Sequence, residues 1–154
     1  MRNPHVRIIG HPDNPAYPVD FDQLAQAANE HHVLLEINNS SYQPDGSRHG
    51  SRELSQGLLE ACKRHGTMVI MGSDAHIDLD VGNHACSEEM IQQAGFPEEL
   101  VINSDPAKFR EWIGNKRNRT ALAGQTSSLT CEGSSVAKTI LKIHWPNGQN
   151  KDHC

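Results

Sequence analysis

Met68–His76 reads MVIMGSDAH. The apolar run Met68 to Met71 breaks at Gly72 into Ser73, Asp74, Ala75 and His76. Such a run, partly β-branched and closed by glycine, predicts a buried strand of a parallel sheet. Asp74 and His76 stand two apart, so in an extended segment both project to one side. There a carboxylate oxygen and an imidazole nitrogen can close on one cation. Asp-x-His also occurs in ordinary surface turns, and the pair alone reads either way.

Working upstream, Ser51 caps a stretch carrying Leu54, Leu58, Leu59 and Cys62 that stops at Gly66, a helix with a left-handed glycine terminus. It follows a Ser/Gly/Pro-rich loop from Ser40 to Gly50, and before that Val33–Asn38 (VLLEIN) is strand-like, with Glu36 and Asn38 near its end. Earlier still, Asp20 with Gln23 resembles a capping box that opens a helix striped by Phe21, Leu24, Ala25 and Ala28. Val6–Gly10 (VRIIG) is another short apolar strand, with His11 just past it.

Downstream of His76, Ser87 begins a helix through Met90, Ile91 and Ala94 to Gly95, and Leu100–Asn103 (LVIN) reads as a fourth strand. Asp105 before Pro106 caps a last helix with Phe109, Trp112 and Ile113 on one face, ended by Gly114. Four strand–loop–helix units over residues 6–113 imply a parallel βα architecture. In such folds the carboxyl ends of the strands open on one face, which hosts the site. His11, Glu36, Asn38, Asp74, His76 and Asn103 all fall at or just after those ends. Each also has a plainer reading as a loop bridge, an ion-pair partner or a turn former.

The chain divides by charge. Residues 1–113 carry 17 acidic and 8 basic side chains, a net of −9, whereas residues 114–154 carry 2 and 6, a net of +4. The acidic part argues against a nucleic-acid-binding face. No apolar stretch approaches the ~20 residues needed to span a bilayer, and no signal-peptide core is visible, so a cytoplasmic protein without a membrane partner is expected. Cys62, Cys86, Cys131 and Cys154 form no C-x-x-C pair and suggest neither a zinc knuckle nor a disulfide framework. Ten histidines in 154 residues invite a search for metal ligands.

Three ordered blocks, His11–Pro15 (HPDNP), Leu35–Ser41 (LEINNSS) and Gly72–His76 (GSDAH), with Asp80–Asn83 (DVGN) and Phe96–Asn103 (FPEELVIN) behind them, resemble the PHP-domain metal-dependent phosphohydrolases. The likeness points to their YcdX-like phosphatase branch and covers about residues 3–113. It implies a distorted (β/α)7 TIM-like barrel, of which this chain holds the C-terminal part. It also implies three divalent metals, zinc or manganese, at the carboxyl face. His11, Asp74 and His76 match metal ligands, and Glu36 and Asn38 match residues beneath the metals. Arg52, in Gly50–Glu53, matches a fork for phosphate, with a solvated surface arginine as the plainer reading. The implied reaction is hydrolysis of a small phosphorylated substrate by a metal-activated water.

The family's His-x-His pair, its further histidine ligands and its bridging glutamate have no counterpart here. Three ligands do not build a trinuclear centre, so impaired or absent activity is expected, with a non-catalytic fragment or gene remnant as the alternative. Open barrel edges predict self-association. Asp13 stands where the family has glycine, and Leu54 where it has a polar residue. The Ser/Thr/Gly-rich residues 114–154 match nothing in the family and read as a separate disordered tail.

Overall fold

The fold is built outward from one central strand. The computed structural model describes residues 3, 5–46 and 48–115, so the expectation of a disordered tail lies, beyond Asn115, outside the described residues. Strand β2 (Leu34–Asn38) lies between β1 (Ile8–Ile9) and β3 (Val69–Gly72), all parallel. Helices α1 (Phe21–His31), α2 (Ser51–His65), α3 (Ala85–Gln93) and α4 (Pro106–Asn115) complete the βα alternation. The described residues thus form an α/β unit on an open three-stranded sheet; a closed barrel is not among them. No described helix is long and apolar enough to cross a membrane.

Strand alternation sorts the core into two faces. Leu35, Ile37, Val69 and Met71 turn to the side of Ala25 and Ala28, Leu58, Leu59 and Cys62, and Met90 and Ile91. Leu34, Met68 and Ile70 turn to the other, where Ile102, Phe109 and Trp112 pack. Each fully buried aliphatic side chain contributes about 1.5–3 kcal/mol. These contacts, more than helix propensity, hold the helices to the sheet.

The helix boundaries follow local chemistry. Asp20 accepts the Asp22 and Gln23 amides at 3.0 and 3.1 Å while the Gln23 side chain reaches back to it at 2.9 Å, the expected reciprocal cap. At α2 the cap position is Gly50, with φ of 99°, and Ser51 is instead the buried first residue of the helix. Helix α3 starts at Ala85, two residues before the Ser87 expected from sequence. Its Cys86 and Ser87 amides donate to the Asn39 side chain at 2.9 and 3.1 Å, so the cap arrives from the end of β2. Helix α4 runs through Gly114 to Asn115.

The fourth strand does not form as a strand. Val101 makes a single parallel bridge to Val69 between two 3-10 turns, Glu98–Leu100 and Ile102–Ser104. The Asn103 amide supplies the next rung: it accepts the Met71 N–H at 2.7 Å and donates to the Met71 carbonyl at 3.0 Å. A side chain thereby replaces backbone pairing. Both polar groups of the Asn103 side chain are engaged by the Met71 backbone.

Candidate functional site

Glu36 sits at the base of the site, and glycine makes room for it. A Cβ on Gly72 would lie 2.3 Å from Glu36 Oε1, and one on Gly10 would lie 3.2 Å from Oε2. The carboxylate therefore occupies a slot between the ends of β1 and β3. It accepts the His11 backbone N–H at 3.0 Å and the Asn38 side-chain amide at 3.3 Å. Asn38 is fully buried, and its Oδ1 takes the Ser41 N–H and Oγ–H at 3.0 and 2.9 Å. Glu36 and Asn38 thus fix the His11 backbone and the Ser41 amide and hydroxyl.

His11 and Asp74 close the mouth of this slot. Both adopt left-handed backbone, with φ of 50° and 53°. Holding a non-glycine residue there costs on the order of 1–3 kcal/mol and is concentrated at functional sites. Asp74 Oδ2 accepts Ser40 Oγ–H at 2.8 Å and Arg48 Nη1 at 3.2 Å. Burial opposes ionisation of this carboxyl, but the hydrogen bonds from Ser40 and Arg48 outweigh it and hold its pKa below the usual value. Arg48 Nη2 lies 3.3 Å from His11 Nε2. Guanidinium only donates, so this ring nitrogen presents its lone pair. The other, Nδ1, is buried without a hydrogen-bond partner among the described residues, 3.6 Å from Glu36 Oε2.

His76 is exposed, and its Nδ1 lies 2.8 Å from the Asp74 carbonyl. A carbonyl accepts only, so Nδ1 carries the proton and Nε2 is left as a donor of electrons, the arrangement typical of metal-ligating histidines. The chemistry of these donors suits a cation. Their number does not make a complete site: no group of three or more His, Cys, Asp or Glu among the described residues is placed to hold a metal ion.

Arg52 is not brought to His11 and Asp74. Its Nη2 meets Glu89 Oε2 at 2.8 Å and its Nη1 the Tyr42 carbonyl at 3.2 Å. It lines a cleft of about 320 Å³ together with Ser41, Tyr42, Arg48, His49 and Glu53. Asp13 is fully buried and accepts the Tyr42 hydroxyl at 2.5 Å. Burial raises its pKa, more than the Tyr42 hydrogen bond lowers it, so this carboxyl is enclosed and not left in solvent.

Sequence reading missed Arg48, Ser40 and Ser41. Arg48 has no motif of its own; the available signal was its place in the loop that leaves the carboxyl end of β2. Gly46 lets that loop fold back, since a Cβ there would lie 2.6 Å from the Ser40 carbonyl.

Known proteins add an independent observation. Over 116 residues, 75% of this chain, the sequence is 40% identical to a probable phosphatase of Clostridium novyi, of which it covers 47%. The chain is similar to bacterial probable phosphatases. A second, from Clostridium acetobutylicum, matches with the same identity and coverage. A third, from Caldanaerobacter subterraneus, is 40% identical over 127 residues, 82% of this chain and 49% of the relative. The chain spans about half the length of the curated relatives it matches. No protein-family model matches it.

Proposed function

We propose that this chain carries part of the active site of a metal-dependent phosphohydrolase of the PHP type, acting on small phosphorylated substrates. The observation that carries the reading is the convergence of the His11 Nε2 lone pair and an Asp74 carboxylate oxygen on one positive group. His11 and Asp74 would hold a divalent cation, zinc or manganese; His76, two residues on from Asp74, is the further candidate ligand, and its Nε2 would have to move to join them. A bound cation of this kind polarises phosphoryl oxygens and lowers the pKa of water. Glu36 fixes the His11 backbone, Ser40 orients the Asp74 carboxylate, and Arg52 in the adjoining cleft is the candidate for phosphate. The names of the similar proteins support the phosphatase class.

A non-catalytic role is the second reading, favoured by the lack of a three-donor group among the described residues. Metal analysis of the purified 154-residue chain, with hydrolysis of an aryl phosphate in added Zn2+ or Mn2+, separates the two. Stoichiometric metal and metal-stimulated turnover, both lost in Asp74→Asn, support the phosphohydrolase. Absence of both establishes the non-catalytic reading for this chain.

A further inference from the structure

Arg48 contacts both atoms that the proposed function assigns to a cation. Its Nη1 lies 3.2 Å from Asp74 Oδ2 and 3.4 Å from Ser41 Oγ, and its Nη2 lies 3.3 Å from His11 Nε2. A metal ion would bind the same nitrogen and oxygen at roughly 2 Å. Two positive charges held by one pair of donors repel strongly in a half-buried setting. Guanidinium and metal ion therefore exclude one another.

We propose that Arg48 is an internal cation that occupies the His11–Asp74 position and leaves it when a divalent ion binds. The proposal rests on the reading of His11 and Asp74 as cation donors. Its geometry stands on three observations. The guanidinium side chain is 24% exposed, so one side of it meets solvent. Arg48 also lines the 320 Å³ cleft, so rotation about its own side-chain bonds carries the charge into open space next to Glu53. Finally, the positive charge faces an Asp74 carboxylate whose Oδ2 is fixed by the Ser40 hydroxyl at 2.8 Å. Without a counter-charge there, a partly buried acidic group would be left poorly compensated. Arg48 supplies that counter-charge.

The test is calorimetric titration of Zn2+ into the full chain as wild type, Arg48→Gln and Asp74→Asn. Arg48→Gln is expected to bind Zn2+ at least tenfold more tightly than wild type at a site that Asp74→Asn removes. Equal or weaker binding by Arg48→Gln overturns the proposal. Should Arg48→Gln fail to fold, the wild-type protein gives the answer through phenylglyoxal modification of Arg48, followed by peptide mass spectrometry. Saturating Zn2+ should accelerate that modification severalfold in wild type and leave it unchanged in Asp74→Asn. An unchanged or slower rate in wild type overturns the exchange. A Zn2+ site that depends on Asp74 but is indifferent to Arg48 defeats this proposal alone. No Asp74-dependent Zn2+ site in either protein defeats the cation reading, and this proposal with it.

Discussion

Glu36 shows how far a single residue can be read before its neighbours are placed. Its position near a strand end was plain from VLLEIN, but its slot was not, because the slot is made by two glycines lying 26 residues before it and 36 after it in the sequence. Gly72→Ala should cost about 1–3 kcal/mol through overpacking against the carboxylate, read as a lower denaturant midpoint. Glu36→Ala in the same protein should recover most of that loss. A strongly non-additive double-mutant cycle is the expected result, and simple additivity would show that the alanine is accommodated elsewhere. Asp74 could be singled out because glycine followed by polar residues is a local pattern, and the structure sets it beside Ser40 and Arg48. Arg48 was not, since its role depends on a loop folding back over Ser40.

At the level of elements, the sequence disclosed the four helices and three of the four expected strands, each from its periodicity or its cap. The fourth strand failed for a specific reason: Asn103 satisfies Met71 with its side chain, so LVIN needs no ladder beyond Val101. The cap of α3 was equally hidden, because it is supplied by Asn39 from another element. Asn39→Ala leaves two buried backbone donors unpaired and should cost about 2–4 kcal/mol, taking roughly 1–2 for each. Asp20→Ala, at an exposed cap, should cost about 1 kcal/mol. Urea unfolding of both variants checks the order, and an equal loss would mean that Asn39 acts only as a local turn residue.

Across the whole molecule, burial sets two titrations that report on the fold. It lowers His84 below its usual 6.5, with Glu88 opposing. Below pH 6.5 the unfolded chain therefore takes up a proton there that the folded chain takes up less readily, and stability falls as pH drops through that window. Thermal midpoints measured from pH 7 to pH 5 should decline less in His84→Gln than in wild type; identical declines would remove His84 as a cause. Burial also pushes the Cys62 thiol up to about 12, so thiolate is scarce at pH 8 in the folded protein. Alkylation at Cys62, followed by peptide mass spectrometry, should be negligible in buffer and complete in denaturant. The overall parallel βα order was legible in the alternation of elements, whereas the larger barrel of which this chain would be the C-terminal part was implied only by resemblance, and the three-stranded sheet does not by itself establish it. The Glu36 slot carries a last consequence, for how the sheet assembles. Register in a two-residue strand such as β1 is weakly specified by its own hydrogen bonds. A slide of two residues would bring Ile8 to the level of Gly10, and the same slide in β3 would bring Ile70 to the level of Gly72. Either would drive a branched aliphatic side chain into the carboxylate. The acid at the base of the site thus works as a gauge that accepts one alignment of three strands and rejects its neighbours.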